Sequence, residues 1–446
     1  MNILLPTYSY FPYNFGGTEV YVAGLARYLF SQGHSVTIIA GTSPKAFIDH
    51  EIFFEDAQIK TVRYKVDDIT VIGVIMKDST TSEIYRKYRP QADISWSLVF
   101  ARLSSQKWDI LHFNAYTSAI GQNILYAIKK HSATVKVFFS YHLPVSCIKN
   151  TLLYSNLKEA CTVKPSVNIC TACYLAGRQN ISVGITKPLV QLIPVLNNEK
   201  LPFFFNLKYL VQVSINAFQE LISAVDKWFV FSEQIDKILL LNGVKQDNIF
   251  ALRHGVDNVF SDNFPGISKM NKNTNQLIFL YVGRFEKIKG FDTLLKSWCG
   301  LKEVQQRKLE IIGEMQTENT DIKKLIEIAS HRKDIIWHGK KTQKEIASIM
   351  EYTHCTIIPS QWIEIGPLVF HEAISKGNDV IAADIGGCKS LAELYSKKST
   401  LFRTGNIKSL QQAIIDFKYS HVKLPVITQI ENYRMVEKVY QQIVII

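Results

Sequence analysis

Apolar segments typical of buried strands alternate with helical patterns along this chain, and the series occurs twice. Residues 2–6 form a short apolar segment, which is followed by a loop with two glycines and by helical spacing of apolar residues from 19 to 31. After a polar stretch at 271–275, a second series begins with the apolar segment 277–282. Strands that alternate with helices favour a parallel sheet covered by helices on both faces. The sequence therefore predicts an α/β protein with two doubly wound, Rossmann-like domains.

The polar stretch also sets the predicted domain boundaries. We expect an N-terminal domain over residues 1–265 and a C-terminal domain over 276–425, facing each other across a cleft. A last helical segment, 426–446, is expected to pack back on the first domain. Further strands are predicted at 35–40, 69–75, 110–113, 135–140 and 227–231 in the first half, and at 309–312, 335–337, 355–358 and 380–383 in the second. Ligands of such sheets bind in the loops beyond the carboxyl ends of the strands.

The composition describes a globular protein with a large core, because 47% of its 446 residues are hydrophobic and only 20% are charged. The net charge of +12 favours anionic partners. The lysines and arginines are scattered, and no dense basic block of the kind found in nucleic-acid-binding arms occurs, so we expect no nucleic-acid partner. Two interpretations stay open: a solvated basic surface, or a patch that faces a membrane or an acceptor.

The hydrophobic segments predict an intracellular protein. No run of eighteen or more apolar residues without a charge occurs, so a membrane-spanning helix is not expected. The apolar start of the chain lacks the basic region and the length of a signal peptide, and it is better interpreted as a buried strand. We therefore expect a cytoplasmic protein, with peripheral association at the inner face of the membrane, whose seven cysteines are reduced or metal-bound.

Two carboxylates, Glu364 and Glu372, are separated by seven residues that include Gly366 and Pro367. Proline is favoured in the first turn of a helix, so Glu364 should lie in the preceding loop and Glu372 on the helix. The N-terminus of a helix has free N–H groups and favours an anion, and carboxylates accept hydrogen bonds from sugar hydroxyls. This arrangement suits a molecule with hydroxyls at both ends and phosphate between them, such as a nucleotide sugar.

Arg284 and Lys289 follow the first strand of the second series, and both can contact a diphosphate. Such cations would stabilise the charge that develops on a leaving diphosphate, and would replace the divalent metal used elsewhere. No Asp-x-Asp motif follows a strand, so no cofactor is expected in catalysis. In the first half, Gly16 and Gly17 permit close approach of the backbone to phosphates. An ordinary tight turn is the alternative explanation for these two glycines.

Together these motifs resemble those of the retaining glycosyltransferases of family 4, the group 1 glycosyltransferases with the GT-B fold. The resemblance extends over nearly the whole chain, and it depends on the order and spacing of the motifs rather than on any one of them. The motifs are the loop at Gly16 and Gly17, residues 109–112, Tyr141 with His142, Ser232, residues 255–257, residues 281–284, Lys289 with Gly290, Pro359 with Ser360, Glu364 with Glu372, and residues 382–387.

The resemblance implies an enzyme that moves a sugar from a nucleotide-diphosphate sugar to a hydroxyl of a glycan, polysaccharide or lipid-linked acceptor, with retention and without a metal. It implies that Glu372 binds the ribose hydroxyls and that Glu364 lies near the transferred sugar. The backbone N–H groups of Leu368 and Val369 would help to hold the phosphates or the sugar. His142 resembles the histidine that approaches the donor sugar from the first domain. The family favours same-face attack, in which the leaving phosphate helps to deprotonate the acceptor.

Some positions depart from the family pattern. The family often has His-x-His where this chain has His112 followed two residues later by Asn114. His112 is therefore either an acceptor-side residue or a structural residue at a strand end. Gly313 is followed by Glu314 instead of a second glycine. None of these changes removes a residue to which the chemistry is assigned.

Four cysteines, Cys147, Cys161, Cys170 and Cys173, lie within twenty-seven residues, in a predicted insertion at about 143–177. The last two form a C-x-x-C pair, and four thiolates can hold a tetrahedral zinc ion. The first two are irregularly spaced, so structural zinc, free thiols, and a disulfide or redox role all stay open. A zinc ion here would order the insertion and would not be catalytic.

Two other functions fit the sequence less well than sugar transfer. A catalytically silent nucleotide-sugar-binding scaffold of a glycan-assembly complex is the alternative, and the presence of all four charged donor-side residues disfavours it. A nucleotide-dependent oxidoreductase is disfavoured because no G-x-G-x-x-G sequence follows the first strand.

Overall fold

The computed structural model describes residues 1–13, 16–77, 93–103, 107–117, 120–154, 159–179, 181–196, 203–260, 275–315 and 319–444. These residues form two compact units. Unit 1 consists of Met1–Phe231, Ile235–Leu252 and Tyr433–Ile446, and unit 2 of Ser232–Gln234 and Arg253–Asn432. Within the described residues, no helix combines the length and the apolar character needed to cross a membrane.

Unit 1 is built on a sheet of nine described strands in the order β11-β10-β7-β6-β1-β2-β5-β4-β3. The strands are β1 Asn2–Ser9, β2 Ser35–Gly41, β3 Ile52–Glu55, β4 Ile59–Val66, β5 Ile69–Met76, β6 Ile110–Phe113, β7 Lys136–Ser140, β10 Lys227–Val230 and β11 Ile249–Ala251. From β11 to β5 all pairings are parallel. The central strand β1 buries Ile3, Leu4 and Leu5 completely, as expected for a parallel sheet covered on both faces.

The sheet is not wholly parallel, which the sequence analysis did not predict. β4 pairs antiparallel with both β5 and β3. Asp67 and Asp68, the two residues between β4 and β5, have φ values of 50° and 62°. A two-residue hairpin turn needs positive φ at both positions, and aspartate tolerates this conformation well. The local turn therefore adds an antiparallel hairpin to the edge of the sheet.

Unit 1 contains an insertion between β7 and β10, which contributes three of its helices. It starts with the two-stranded hairpin β8 (Leu153–Tyr154) and β9 (Glu159–Ala160). Three helices follow, of which the first two pack through Ala172, Ala176, Val183 and Val190. The helices of this unit are α1 Gly17–Ser31, α2 Ala46–Asp49, α3 Asp93–Leu103, α4 Gln122–His131, α5 Val167–Gln179, α6 Val183–Leu192, α7 Phe203–Ala224 and α8 Glu233–Leu241, which begins in unit 2.

Unit 2 contains a wholly parallel sheet of six described strands in the order β14-β13-β12-β15-β16-β17. The strands are β12 Leu277–Val282, β13 Arg307–Ile312, β14 Ile335–Gly339, β15 Cys355–Ile358, β16 Asp379–Ala383 and β17 Ser399–Phe402. The helices are α9 Phe291–Cys299, α10 Thr320–Ser330, α11 Gln343–Tyr352, α12 Leu368–Ser375, α13 Gly386–Leu394 and α14 Ile407–Ile415. Single 3₁₀ turns occur at Gln246–Asn248, Asn258–Phe260, Lys287–Lys289 and Ser396–Lys398.

The last helix, α15, spans Gln429–Val444. Its residues from Tyr433 onward belong to unit 1 and those up to Asn432 to unit 2. Tyr440 is completely buried, and the centroid of its ring lies 4.7 Å from that of Phe138 in β7.

The polar stretch between the predicted domains falls almost entirely on 261–274, outside the described residues. Arg253–Phe260, which the sequence analysis placed in the first domain, lies in unit 2.

Candidate functional site

Three of the four charged residues of the predicted donor site lie between strands and helices at one edge of the unit 2 sheet, and the fourth, Glu372, lies on helix α12. Arg284 and Lys289 follow β12, and Glu364 follows β15. These two strands pair in parallel, so the loops that follow their carboxyl ends meet at the same edge. Gly386, the first residue of helix α13, follows β16, the next strand of the sheet. The pairing of β12 with β15 therefore brings together Lys289 and Glu364, which are 75 positions apart.

Lys289 and Glu364 form the central contact of this site. The Lys289 Nζ donates to Glu364 Oε1 over 2.7 Å, and the side chains retain 30% and 16% of their exposure. The Ser360 hydroxyl donates to the same oxygen over 2.9 Å. Glu364 Oε2 accepts no hydrogen bond from any residue that the structure describes. One carboxylate oxygen is thus fixed by the protein and the other is free to accept from a ligand.

Two close backbone approaches fix the loops in place. Gly290, directly after Lys289, has a φ of 68°, and a Cβ there would lie 1.7 Å from the Pro359 carbonyl oxygen. The Gly387 N–H donates to the Glu364 carbonyl over 2.5 Å, and a Cβ on Gly387 would lie 2.6 Å from that oxygen. Only glycine permits such approaches without displacement. The lysine loop and the glutamate loop are therefore each packed against a neighbouring loop.

Arg284 is the more exposed cation of the site, with 44% of its side chain accessible, and it forms a 3.1 Å ion pair with Glu286. Its backbone carbonyl accepts a 2.7 Å hydrogen bond from the buried Tyr281 hydroxyl. Burial, together with the nearby carboxylates of Glu364 and Glu286, holds the pKa of Tyr281 far above its usual value. The tyrosine is therefore a hydrogen-bond donor that positions the arginine loop.

Helix α12 begins directly after the glutamate loop. Pro367 is its N-cap residue and makes no side-chain capping hydrogen bond, and Gly366 precedes it. Leu368 and Val369 are the first helical residues, whose N–H groups lack partners inside a helix. Glu372, one turn on, is half-buried. Burial, with a smaller effect of the Asp257 carboxylate, raises its pKa to about 8.

In unit 1, Gly16 and Gly17 lie at the N-terminus of α1, as N-cap and first helical residue. Both are exposed. A Cβ on Gly17 would meet no atom within 4 Å, so packing inside the protein does not require glycine at this position. Open space beside a helix N-terminus is what phosphate binding needs. The nearby Glu19 is buried and its carboxylate accepts a 2.9 Å hydrogen bond from Ser9.

His142 follows β7 and lies between two aromatic rings of unit 1. Its ring stacks on Phe231 with centroids 4.7 Å apart, and lies at the same distance from Tyr21 in α1. Burial lowers the pKa of His142 to about 3, so the imidazole is neutral near pH 7 and can donate or accept a hydrogen bond. His112 is different: it is completely buried and bonded through both ring nitrogens, to Tyr440 and to Ser140. Its position supports the structural alternative.

The four clustered cysteines line one cavity of about 50 Å³ in the insertion of unit 1. All four are free thiols. Burial, followed by the neighbouring thiols, raises the pKa of Cys170 to about 11, and burial also raises that of Cys161. In the part of the chain that the structure describes, no group of three or more His, Cys, Asp or Glu is placed to hold a metal ion. The structure therefore gathers the four thiols but does not set them at coordination distances.

Three residues that support this site have no predicted role. Ser360, Tyr281 and Gly387 occur in the sequence motifs, and the structure places them against Glu364 and the Arg284 backbone. Ser360 lies four residues before Glu364, close enough to suggest a contact. The contact of Tyr281 with the Arg284 carbonyl is local, over three residues. The Gly387 contact joins the segments after β15 and β16 and depends on strand order, for which the sequence contained no signal.

Comparison with known proteins assigns the family. The model for glycosyl transferases group 1 matches residues 266–426, and the model for glycosyltransferase family 4 matches residues 15–160. A protein of the cps region of Klebsiella pneumoniae is 29% identical over 157 residues, which cover 34% of this chain and 40% of that relative. The match thus spans less than half of the relative's length.

Solved structures with low sequence identity share the fold. A sucrose-phosphate synthase from Thermosynechococcus elongatus has a TM-score of 0.58 at 15% identity, covering 100% of this chain and 96% of that one. A glycosyltransferase from Rickettsia africae has a TM-score of 0.60 at 16% identity, over 99% and 98%. Anabaena HepE in complex with UDP and glucose has a TM-score of 0.55 at 15% identity, over 99% and 98%. The chain belongs to the group 1 glycosyltransferases and has the GT-B fold, as the sequence predicts.

Proposed function

We propose that this protein transfers a sugar from a nucleotide-diphosphate sugar to a hydroxyl of a glycan, polysaccharide or lipid-linked acceptor, with retention of the anomeric configuration and without a catalytic metal. The observation that carries the proposal is the 2.7 Å contact between Lys289 and Glu364, at the carboxyl edge of a parallel sheet and directly before helix α12. This arrangement places a cation, a carboxylate and free backbone N–H groups in adjoining loops. Anabaena HepE, which shares the fold, binds UDP and UDP-glucose.

The cations act on the diphosphate. As the bond between the anomeric carbon and the phosphate oxygen breaks, negative charge develops on the leaving diphosphate, and fixed cations stabilise it. The exposed fork of Arg284 can bind two phosphate oxygens and Lys289 one. The N–H groups of Leu368 and Val369 add donors at the helix N-terminus. Gly16 and Gly17 would let the backbone at the start of α1 approach phosphates.

The carboxylates act on the hydroxyls. Glu364 Oε2 is available to accept from the transferred sugar, because Lys289 and Ser360 both engage Oε1. Glu372 would accept from the ribose hydroxyls. His142, held neutral by burial, would donate to a hydroxyl of the donor sugar without adding charge. Each of these groups positions the donor, and positioning accounts for a large part of catalysis.

Retention is proposed to proceed by same-face attack. A double displacement needs a free nucleophile beside the anomeric carbon, and the Glu364 carboxylate is already neutralised by Lys289 and hydrogen-bonded to Ser360. In same-face attack the acceptor oxygen forms the new bond to the anomeric carbon while the diphosphate leaves. The acceptor's proton passes to the departing phosphate oxygen.

A donor screen tests the proposal. The full chain is incubated with individual UDP-, GDP- and ADP-sugars, with and without EDTA, and nucleotide release and thermal shift are measured. We expect one nucleotide to stabilise the wild type, and slow hydrolysis of one sugar that EDTA does not affect. Arg284→Ala and Glu372→Ala should lose the thermal shift. Lys302→Ala, which removes an exposed cation beyond the far end of α9, should retain it.

Each other outcome has a defined meaning. Binding of a nucleotide sugar with no transfer or hydrolysis, in the presence of any acceptor, would support the scaffold alternative. Loss of hydrolysis in EDTA would contradict metal independence. Failure of every nucleotide sugar to bind would overturn the proposal.

For the cysteine insertion we retain structural zinc as a proposal, supported by four thiols around one cavity. The thiols would have to move closer together and lose their protons, so binding should be weaker at low pH. Metal analysis of protein purified without chelators should find about one zinc ion per chain, and Cys173→Ser should lower that value. A zinc-free protein that keeps its thermal stability would show that the thiols are free.

A further inference from the structure

A polar cavity lies at the amino ends of the strands β1, β2 and β5 of unit 1. Its volume is about 150 Å³, roughly ten times the space that one water molecule needs. Gly16 and Gly17 follow the opposite, carboxyl end of β1, and the eight residues of β1 separate the two ends by roughly 25 Å. The cavity is therefore distinct from the predicted phosphate loop. The described residues that line it include Asn2, Ser35, Thr37, Arg63, Thr70 and Trp108.

Strand register places the polar side chains of this cavity on one face of the sheet. Asn2 in β1 pairs with Ser35 in β2, and Thr37, two residues further along β2, pairs with Thr70 in β5. Arg63 in β4 lies on the same face, since its partner in β5 is two residues after Thr70. Paired residues, and residues two apart in a strand, project from the same face. Four neighbouring strands thus supply one polar floor.

The cavity contains donors that the protein itself does not use. Trp108 is only 4% exposed, and its buried indole N–H has no hydrogen-bond partner among the described residues. Thr37 is 8% exposed, and its hydroxyl likewise makes no hydrogen bond within the part of the chain that the structure describes. A buried donor without an acceptor costs free energy, and such groups are normally satisfied. These two donors therefore indicate a bound acceptor.

Arg63 gives the cavity a positive charge. Its guanidinium lies 5.8 Å from the centre of the Phe53 ring and forms no ion pair with any residue that the structure describes. No aspartate or glutamate is among the described residues that line the cavity. The carboxylate of Asp109, close in sequence to Trp108, accepts a 2.7 Å hydrogen bond from the Asn2 N–H instead. One cation with several neutral donors and no carboxylate favours an anion over a cation or an apolar ligand.

We propose that this cavity binds a phosphate group, either free or carried by a small polar compound. The fork of Arg63 can bind two phosphate oxygens in parallel, and the Trp108 indole and the Thr37 hydroxyl can donate to the others. The space that remains can hold water or the hydroxyls of a sugar phosphate. The inference does not depend on the proposed transfer reaction, because none of the residues assigned to the donor takes part.

The indole N–H signals in TROSY NMR spectra of the full, nitrogen-labelled chain test this inference. The chain has six tryptophans, and Trp108→Phe identifies the Trp108 signal by its loss. We expect inorganic phosphate, added at constant ionic strength, to shift this signal saturably as the indole N–H gains an acceptor. Chloride should not shift it. Tighter binding of glucose 6-phosphate than of inorganic phosphate would identify a phosphorylated compound as the ligand, and equal or weaker binding would identify free phosphate.

Arg63→Gln should weaken phosphate binding at the Trp108 signal about tenfold or more, because charge-assisted hydrogen bonds are lost. Arg63 is exposed, so this change should leave the circular dichroism spectrum unaltered. The matched control is Arg178→Gln, which removes an exposed arginine of α5 that does not line the cavity, and it should bind phosphate like the wild type.

Two results would overturn the inference: no saturable shift of the Trp108 signal, or equal weakening by Arg63→Gln and Arg178→Gln. Phosphate held at the candidate donor site is distinguishable from phosphate in the cavity. It would shift the signal of Trp337 in unit 2, whose ring centroid lies 6.0 Å from that of Phe285, next to Arg284. That shift should not respond to Arg63→Gln.

Discussion

Burial makes the Glu372 carboxyl hard to ionise, and the contact with the ribose hydroxyls proposed above would require it to lose its proton. Its raised pKa of about 8 follows from burial, but a carboxyl group accepts hydrogen bonds from two ribose hydroxyls best when it is ionised. Nucleotide binding should therefore release a proton. This coupling gives the candidate donor site a pH dependence that none of the exposed carboxylates would produce.

We expect nucleotide affinity to increase as the pH rises from about 6 to 8, by at most tenfold per pH unit, which is the limit for one linked proton. Isothermal titration calorimetry in buffers of different ionisation enthalpy measures both the affinity and the proton release. Glu372→Gln should bind the nucleotide more weakly. Its affinity should also lack the pH dependence that the Glu372 carboxyl contributes in the wild type. The nucleotide's own titration is common to both proteins, so an identical pH dependence would contradict the assignment.

The Glu372 carboxyl also affects the folding stability of the protein. Its contribution to stability falls as the pH rises, whereas the nucleotide affinity increases. The pKa of Glu372 is higher in the folded protein than its usual 4.5, so the folded state holds its proton more tightly. The resulting stabilisation is present below pH 4.5 and is lost as the pH rises to about 8. In the absence of nucleotide, we expect Glu372→Gln to have a higher Tm than the wild type at pH 9, and a smaller difference at pH 5.

Lys289 is expected to be the most sensitive residue for transfer. Lys289→Met removes a cation from the leaving diphosphate and leaves the half-buried Glu364 without its ion pair. Loss of one such stabilising group typically costs about 10²–10³ in rate. Steady-state transfer rates, or donor hydrolysis rates, should fall by this factor, while Lys302→Ala should be unchanged. A Lys289→Met variant with the wild-type rate would exclude the lysine from catalysis.

Single residues of the site were predictable, whereas their contacts were not. Arg284, Lys289 and Glu364 are predicted because charged residues in loops after strands have few structural reasons to be there, and Glu372 because of its spacing from Glu364 across a helix start. The Lys289–Glu364 contact joins residues 75 positions apart. It exists because β12 pairs with β15 rather than with its sequence neighbours alone, and a single sequence does not encode strand order in any local pattern.

At the scale of elements, buried strands were predicted more accurately than half-exposed ones. The predicted strands 110–113, 277–282 and 355–358 coincide with β6, β12 and β15, because short apolar runs with polar ends have clear limits. β4 was not predicted. It buries both Thr61 and Val62 but exposes Arg63 and Lys65. Its alternation of buried and exposed residues is therefore interrupted and matches no simple period.

A buried ion pair connects two elements of unit 2 and should be costly to break. Lys398, in the turn before β17, has no exposed side-chain surface and its Nζ lies 2.7 Å from Asp379 Oδ1 in β16. The same carboxylate accepts hydrogen bonds from Ser420. Lys398→Met leaves the buried carboxylate unpaired, which should lower the free energy of unfolding by about 3–5 kcal/mol. Urea denaturation measures the loss, and adding Asp379→Asn should recover part of it.

The two units should unfold as separate calorimetric transitions, since each has its own sheet and its own core. Multidomain proteins commonly deviate from two-state behaviour in this way. A nucleotide at 100 times its Kd stabilises the state it binds by about 2.7 kcal/mol, which corresponds to roughly 5–10 °C for a unit of this size. Differential scanning calorimetry should show this increase in one transition, and Glu372→Ala should abolish it. Equal increases in both transitions would show that the nucleotide does not stabilise one unit more than the other, against this prediction.

Helix α15 belongs to unit 1 from Tyr433 onward, and this has a consequence for protein synthesis. Tyr440 packs against β7, and Tyr433 donates to the Tyr21 carbonyl of α1, yet all of unit 2 apart from Ser232–Gln234 is translated between them and the rest of unit 1. N-terminal domains generally fold first, while the ribosome adds about 5–20 residues per second. Here the first unit waits on the order of tens of seconds for its last helix. During that interval the sheet of unit 1 exposes the apolar surface that Tyr440 later covers. A chaperone can therefore bind unit 1 for as long as unit 2 is being synthesised.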